Sequence, residues 1–161
     1  MRDIGAAVIA LLAERGLTIA VAESLTGGLV VAELVKTPGA SAVVRGGIVA
    51  YDTELKHTLL GVDAGLLAVH GPVHEDVARQ MAAGVRAALS VGELSADIGI
   101  ATTGVAGPEP QNGVEVGTVF VAIALGIEIH VMELALDGGR EAIRSAVVYE
   151  ALVELERLLT L

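Results

Sequence analysis

The sequence predicts a three-layer α/β/α domain in which helices cover both faces of a mixed, mostly parallel β-sheet. Short apolar runs alternate with longer segments whose apolar residues recur at helical spacing, which is the pattern of strand–helix–strand units. Two apolar segments near the end of the chain flank one glycine and indicate an antiparallel hairpin. Only 2% of the residues are aromatic, so the core must consist of Ala, Val, Leu and Ile.

The chain up to residue 62 predicts three helices and two strands, separated by glycine, proline or capping residues. The helices cover residues 2–15 and 29–35 and a short segment after Asp52 or Thr53, and the strands cover 17–22 and 43–51. The chain after residue 62 predicts helices at 63–69, 74–89 and 140–159, a strand at 96–101, a glycine-rich loop at 102–116, and the hairpin strands 117–125 and 128–136.

Size, composition and charge limit the class of protein. The 161 residues suit a single domain over residues 1–161, and no apolar run approaches the roughly 20 residues that span a membrane. The chain has no Cys and no signal-peptide pattern, so we expect a cytoplasmic protein without disulfides or thiolate metal sites. A net charge of −10 disfavours nucleic acid as a partner. An anionic ligand would need local positive charge or backbone N–H groups.

Three loops follow predicted strands, at Ser24, Tyr51 and Thr102. In open α/β sheets, ligands bind beyond the carboxyl ends of the strands, so these loops are expected to form one crevice. Ser24 lies between a predicted strand and a predicted helix, where free backbone N–H groups and the helix dipole suit an oxyanion or a phosphate. A structural interpretation, in which Ser24 or Thr26 only caps the helix, stays open.

A serine nucleophile needs a base, and Lys56 is a stronger candidate than the histidines. His57 is adjacent to Lys56, and one residue turns a helical side chain by about 100°, so the two do not easily face the same pocket. His130 lies in a strand pattern, and His70 and His74 flank a Gly-Pro turn. Structural roles are enough to explain the presence of these three histidines. A metal site at these histidines lacks further ligands.

Lys56 could act as a base only if the protein lowers its pKa from about 10.4, through burial or a neighbouring cation. Tyr51, five residues earlier, could orient the amine or relay a proton. The alternative is a solvated helix lysine and a core tyrosine.

Four segments resemble the CinA C-terminal domain family, in family order and over most of the chain. They are Glu23-Ser24-Leu25-Thr26-Gly27-Gly28, Gly46-Gly47-Ile48-Val49-Ala50-Tyr51 with Lys56, Thr103-Gly104-Val105-Ala106-Gly107-Pro108, and Val116-Gly117-Thr118-Val119. The family includes bacterial nicotinamide mononucleotide deamidases, which hydrolyse a carboxamide to nicotinic acid mononucleotide and ammonia. The resemblance implies such an amidohydrolase, acting on a small nucleotide without metal or cofactor, as a homo-oligomer.

Carried over by position, the resemblance implies Ser24 as nucleophile, Lys56 as general base and Tyr51 as a further residue of the site. Expected substrate-binding residues are those of the nucleophile loop, the second strand, the glycine-rich loop and the last helix. They are Thr26, Gly27, Gly28, Gly46, Thr103, Gly104, Gly107 and Arg140. The N–H groups of residues 26–28 are the expected oxyanion hole, and Arg140 the expected phosphate ligand.

The chain departs from the family pattern at Leu25, where many relatives have Cys, and at His74, which replaces a serine. Gly139 replaces the Asp of a Gly-Asp-Arg pattern, which affects the orientation of Arg140, and the loop 108–113 is less glycine-rich. Two other functions stay open. One is a nucleotide-binding module without turnover, and the other is an interaction protein acting with a recombination partner.

Overall fold

A computed structural model describes residues 2–161 of the chain. The strands are β1 (Ile19–Glu23), β2 (Val44–Val49), β3 (Ile98–Gly104), β4 (Thr118–Leu125) and β5 (Glu128–Ala135). The helices are α1 (Ile4–Arg15), α2 (Leu29–Val35), α3 (Thr53–Leu60), α4 (Ala64–His70), α5 (Glu75–Ala88) and α6 (Arg140–Leu159), with a 3-10 turn at Ala40–Ala42. Within the described chain, no helix combines the length and apolar character needed to cross a bilayer.

The five strands form one mixed sheet in the order β2-β1-β3-β4-β5. β1 pairs in parallel with both β2 and β3, whereas β3 with β4 and β4 with β5 pair antiparallel. β4 therefore runs opposite to the other four strands, and the predicted mixed α/β architecture is confirmed. The parallel order β2-β1-β3 brings the carboxyl ends of three strands to the same edge, where the loops after Ser24 and Ala50 meet β3.

The two faces of the sheet differ in side-chain size. One face carries branched residues such as Ile19, Val21 and Ile100, which pack with apolar residues of α1, α2 and α6. The other face carries alanines such as Ala20 and Ala22, which pack with residues of α5. Small residues allow close approach, and a Cβ on Gly99 would lie only 2.0 Å from the carbonyl oxygen of Ala82 in α5.

Close packing continues from α5 to α3. A Cβ on Gly84 would lie 1.8 Å from the carbonyl oxygen of Leu60, so the end of α3 rests directly on the α5 backbone. Leu60 and Lys56 are the two buried residues of α3, four positions apart and hence on one side of the helix. The small-residue face of the sheet therefore determines where Lys56 lies.

Two element boundaries differ from the sequence predictions for a physical reason. The strand predicted at 96–101 continues to Gly104, because residues 102–104 pair antiparallel with residues 119–121 of β4. The first helix begins at Ile4 rather than residue 2, because the Asp3 side chain accepts a hydrogen bond from the Ala6 N–H and caps the helix. Part of the predicted glycine-rich loop is therefore rigid sheet.

Candidate active site

Ser24 is the first residue after β1 and lies almost buried, with 7% of its surface exposed. Its N–H donates to the Thr102 carbonyl oxygen at 3.1 Å, which extends the β1–β3 ladder by one residue. The alternating direction of side chains along a strand places Ser24 on the same face as Ala20 and Ala22, toward α3 and α5. The structure thus presents the hydroxyl to the lysine-bearing helix.

Lys56 reaches Ser24 directly. Its Nζ donates to Ser24 Oγ at 2.9 Å and to the Ala50 carbonyl oxygen at 2.7 Å, and the side chain is completely buried. The helix that carries it begins after Asp52, whose carboxylate accepts from the Glu54 N–H at 2.9 Å. Lys56 is therefore not the solvated helix lysine of the alternative interpretation.

Burial lowers the pKa of Lys56 from 10.5 to about 8, because removal of water disfavours the ammonium form. The Asp52 carboxylate opposes this effect weakly, since a nearby negative charge raises the pKa of the amine. Among the described residues the only hydrogen-bond acceptors of Nζ are the uncharged Ser24 hydroxyl and Ala50 carbonyl. At pH 7 roughly one Lys56 amine in ten is neutral, and the neutral amine can accept a proton from the serine.

Ser24 and Lys56 line an open cavity of about 160 Å³. Seven of the residues expected from sequence line it together: Ser24, Lys56, Tyr51, Thr103, Gly104, Gly107 and Arg140. Leu25, Pro72, Glu109 and Gln111 are also part of its wall. The loops that the sequence placed after successive strands therefore do form one crevice.

Tyr51 and Arg140 form the rim of the cavity. Arg140 donates from Nη1 to the Gly107 carbonyl oxygen at 2.7 Å and from Nη2 to the Tyr51 hydroxyl at 3.1 Å. Tyr51 is 62% exposed, so it is not a core tyrosine. The guanidinium has no carboxylate partner within residues 2–161, which leaves its charge for an anionic ligand.

Thr103, Gly104 and Gly107 line the cavity, but packing explains their identities. The Thr103 hydroxyl donates to the Pro72 carbonyl oxygen at 2.7 Å. A Cβ on Gly104 would lie 2.6 Å from Val119. Gly107 has φ +87 and would meet Val116 at 2.7 Å. These glycines permit close packing of this loop against β4 and residue 116, which shapes the cavity wall.

Four expected substrate-binding residues lie outside the cavity: Thr26, Gly27, Gly28 and Gly46. The Thr26 hydroxyl is hydrogen-bonded to that of Thr102 at 2.8 Å, and the Gly27 N–H donates to the Ser24 carbonyl oxygen at 3.2 Å. Gly46 lies within β2, opposite Ala20. The Gly27 N–H is therefore engaged within the turn, while the N–H groups of Thr26 and Gly28 donate to no acceptor in the described chain. The oxyanion hole expected at residues 26–28 stays a prediction, although these residues do not line the cavity.

The N-terminus of α2 already holds a carboxylate of this chain, from a residue that sequence reasoning overlooked. Glu23 is completely buried, and its carboxylate accepts from the Val30 N–H at 2.9 Å and the Val31 N–H at 3.1 Å. A carboxylate at a helix N-terminus is favoured by the dipole. The signal available in the sequence was a Glu directly after an apolar strand pattern.

Arg144 is a second overlooked residue. It lies one helical turn after Arg140, and its Nε donates to the Leu25 carbonyl oxygen at 2.8 Å. Its Nη2 lies 3.5 Å from the Thr26 carbonyl oxygen. The spacing of Arg140 and Arg144, four apart on one helical face, was the signal in the sequence.

The histidines do not line the cavity. His57 Nδ1 lies 2.7 Å from the Val62 carbonyl oxygen, and His130 lies 3.3 Å from the Glu128 carboxylate. His74 Nδ1 accepts from the Asp76 N–H and so caps α5, in place of the serine of the family pattern, while its ring stacks on His70. The preference for Lys56 over the histidines agrees with this geometry.

The sequence profile of the CinA C-terminal domain matches residues 1–159. The chain belongs to the CinA C-terminal domain family. It is 48% identical over 152 residues to a CinA-like protein of Frankia casuarinae, covering 94% of this chain and 34% of that protein. It is 50% identical over 134 residues to a putative competence-damage inducible protein of Geobacillus kaustophilus, covering 83% and 31%. This CinA-family chain thus spans about a third of the length of these relatives.

Solved structures of CinA proteins share the fold. A CinA superfamily protein of Klebsiella pneumoniae 700603 superposes with a TM-score of 0.93 at 31% identity, covering 99% of both chains. The competence/damage inducible protein CihA of Agrobacterium tumefaciens gives a TM-score of 0.88 at 34% identity, covering 100% of this chain and 98% of that one. The family resemblance drawn from the four sequence segments is confirmed.

Proposed function

We propose that this CinA-family chain is an amidohydrolase that converts nicotinamide mononucleotide to nicotinic acid mononucleotide and ammonia. The hydrogen bond of 2.9 Å between Lys56 Nζ and Ser24 Oγ carries the proposal. A completely buried lysine with only uncharged acceptors costs folding free energy. Groups perturbed in this way concentrate at functional sites, and a serine beside a neutral amine is an activated nucleophile.

In the acylation step, Ser24 Oγ attacks the carboxamide carbon while its proton passes to Lys56 Nζ. A carbon–oxygen bond forms, and the π electron pair of the carbonyl moves to its oxygen. When this pair re-forms the carbonyl, the carbon–nitrogen bond breaks and the nitrogen takes the proton from the Lys56 ammonium. Ammonia leaves, and Ser24 carries the nicotinoyl nucleotide as an ester.

In the deacylation step, water attacks the ester carbon and gives a proton to the neutral Lys56 amine. Collapse of the second tetrahedral species breaks the bond between carbon and Ser24 Oγ, and Lys56 returns the proton to that oxygen. The carboxylic acid product then gives its remaining proton to water and leaves as the carboxylate. No redox partner or metal takes part in this sequence, since all proton transfers are between Ser24, Lys56, substrate and water.

The shape and charge of the cavity support a nucleotide substrate. Its volume of about 160 Å³ is below the roughly 300–1,000 Å³ of pockets that enclose a whole drug-sized ligand. We infer that the cavity holds the amide-bearing ring beside Ser24 while the sugar and phosphate extend toward the rim. Arg140 at that rim supplies a planar, permanently charged group of the kind that binds phosphate.

The test is release of ammonia and formation of the acid product from nicotinamide mononucleotide by purified protein. We expect turnover by the wild type and loss of at least about 10³-fold in Ser24→Ala and Lys56→Met. Ser41→Ala and Lys36→Met are matched controls, since both side chains are exposed and distant from the cavity. Saturable binding without ammonia release between pH 7 and 10 would instead support the non-catalytic nucleotide-binding module.

A further inference from the structure

Arg144 of α6 holds the turn after Ser24 through backbone carbonyl groups alone. Within residues 2–161 its guanidinium has no carboxylate partner, and it binds the Leu25 carbonyl oxygen at 2.8 Å with a longer contact to Thr26. A cation that binds a carbonyl oxygen fixes the plane of that peptide, here the peptide between Leu25 and Thr26, which adjoins the peptide that carries the Leu25 N–H. The orientation of the turn is therefore imposed from outside it.

Leu25 presents its backbone to the cavity. Leu25 is 4% exposed, and it belongs to the core cluster shared with α1, α2 and α6, on the face of the sheet opposite to Lys56. Leu25 nevertheless lines the cavity beside Ser24. The backbone atoms of Leu25 are thus the ones available to a ligand, and its N–H donates to no acceptor in the described chain.

The other N–H groups near the nucleophile are engaged or belong to residues outside the cavity lining. Those of Thr26 and Gly28 donate to no acceptor in the described chain, but neither residue lines the cavity. The Ser24 N–H donates to the Thr102 carbonyl oxygen, and the Gly27 N–H donates to the Ser24 carbonyl oxygen. The N–H groups of Val30 and Val31 bind the Glu23 carboxylate. Among these donors only that of Leu25 is both free and at the cavity.

We propose that the Leu25 N–H is an oxyanion-hole donor and that Arg144 is the positioning residue that holds it in place. The identity of the reacting amide rests on the proposed function. When Ser24 Oγ bonds to the acyl carbon, the carbonyl electron pair moves to the oxygen, and the N–H of the residue after the nucleophile stabilises this negative charge. Because only the backbone N–H of residue 25 is used in this role, the position does not require a reactive side chain, and leucine is sufficient.

The direct test replaces the Leu25 amide by an ester, by incorporating the α-hydroxy acid with the leucine side chain. This change removes the N–H and keeps the packing. We expect kcat to fall by roughly 10²–10³, as for loss of one oxyanion-hole donor. The matched control is the same α-hydroxy acid at Leu29, which removes the N–H bonded to the Thr26 carbonyl oxygen at 3.0 Å in the same turn, outside the cavity lining. The control should retain kcat within about threefold.

The positioning role is tested with two arginines that make the same kind of contact. Arg86 also binds only backbone carbonyl oxygens, those of Ala96 at 2.9 Å and Gly126 at 2.8 Å, but far from the cavity. We expect Arg144→Met to lower kcat at least about tenfold with little change in KM. Arg86→Met should leave kcat unchanged, whatever its effect on stability. Equal kcat in the two variants would overturn the role of Arg144.

A second readout separates this inference from the choice of substrate. The rate at which a fluorophosphonate labels Ser24, followed by mass spectrometry, also depends on stabilisation of a developing oxyanion. Slower labelling in the Leu25 ester variant would support the oxyanion hole. If the wild type at the same time released no ammonia from nicotinamide mononucleotide, the proposed substrate alone would be rejected. Ammonia release with unchanged kcat and labelling in the ester variant would reject the oxyanion hole alone. No labelling of wild-type Ser24 would reject both.

Discussion

At the scale of residues, the site depends on the contrast between the two lysines of the chain. Lys36 is exposed and paired with Glu33 at 2.7 Å, and that hydrogen bond raises its pKa above 10.5. Lys56 is buried and hydrogen-bonded to uncharged oxygens, and burial lowers its pKa to about 8. Only the second environment produces a neutral amine near physiological pH.

The first prediction is the pH dependence of the reaction. Since the folded-state pKa of Lys56 is about 8, the base form increases tenfold per pH unit below that value and saturates above it. We expect kcat/KM for nicotinamide mononucleotide to rise with pH and level off above about 8. Initial-rate measurements between pH 6 and 10 test this, and a profile already flat at pH 6 would argue against Lys56 as the base.

The second prediction concerns Arg140. If its guanidinium binds the phosphate, Arg140→Met should raise KM for nicotinamide mononucleotide at least about tenfold, because a hydrogen bond to a charged group contributes roughly 1.5–3 kcal/mol. KM for nicotinamide riboside, which lacks the phosphate, should change little. Steady-state kinetics with both compounds provide the test, and equal increases in both KM values would mean that Arg140 acts through Tyr51 and Gly107 instead.

Sequence reasoning identified Ser24 and Lys56 because hydroxyl and amine side chains follow predicted strands. It missed Glu23 and Arg144 because both side chains bind backbone groups. Every residue type has these backbone groups, so the partner positions carry no recognisable residue type. For the same reason it could not say which N–H groups of the turn stay free for the oxyanion hole that it expected at residues 26–28. Which N–H groups remain free depends on the hydrogen bonds of the folded turn, and composition does not specify these.

At the scale of elements, the contact between α5 and the sheet determines where Lys56 lies, and it requires glycine at 99. The third prediction is that Gly99→Ala lowers the free energy of unfolding by roughly 1–3 kcal/mol or more, since the added Cβ would lie 2.0 Å from the Ala82 carbonyl oxygen. Urea denaturation tests it. Gly139→Ala is a suitable control for the glycine-to-alanine change, because a Cβ there meets nothing within 4 Å.

The fourth prediction concerns the start of α6. Gly139 is the N-cap, has extended φ/ψ angles of −78 and 172, and supplies no side-chain hydrogen bond. Gly139→Asp, which restores the family pattern, should stabilise the protein by roughly 0.5–1 kcal/mol through capping and a less flexible unfolded chain. Thermal melting should show a rise of about 1–4 °C. A decrease relative to wild type would contradict the capping argument.

Most element types were predictable because their apolar spacing is strong, as in α5 and α6. The boundaries of a strand were less predictable where pairing with a neighbouring strand determines the residue at which it ends. Residues 102–104 lie in a segment rich in glycine and threonine, yet they pair with β4, and that tertiary contact extends β3 by three residues. Because this segment has the composition of a loop, the sequence did not predict that part of it belongs to the sheet and forms a rigid wall of the cavity.

At the scale of the whole molecule, the fold brings three loops from distant parts of the sequence around one nucleophile. The net charge of −10 opposes binding of a phosphate-bearing substrate, so the positive charge at the rim must act locally. Arg140 and Arg144 both come from the first turns of α6, and they hold the Gly107 and Leu25 carbonyl oxygens. α6 is thus the element that connects the rim to the nucleophile turn. Homo-oligomerisation stays a prediction from the family resemblance.

The central claim is that Lys56 is available as a neutral base for Ser24, and a lysine-specific NMR titration tests it most directly. The chain has only two lysines, so protein labelled with ¹³C in lysine gives two Cε signals, with Lys36→Met to assign them. We predict that the Lys56 signal titrates near pH 8, while the hydrogen bond with Glu33 keeps the pKa of Lys36 above the ordinary lysine value. If both lysines keep their protons beyond pH 10, Lys56 is a permanent cation and cannot activate Ser24 as proposed.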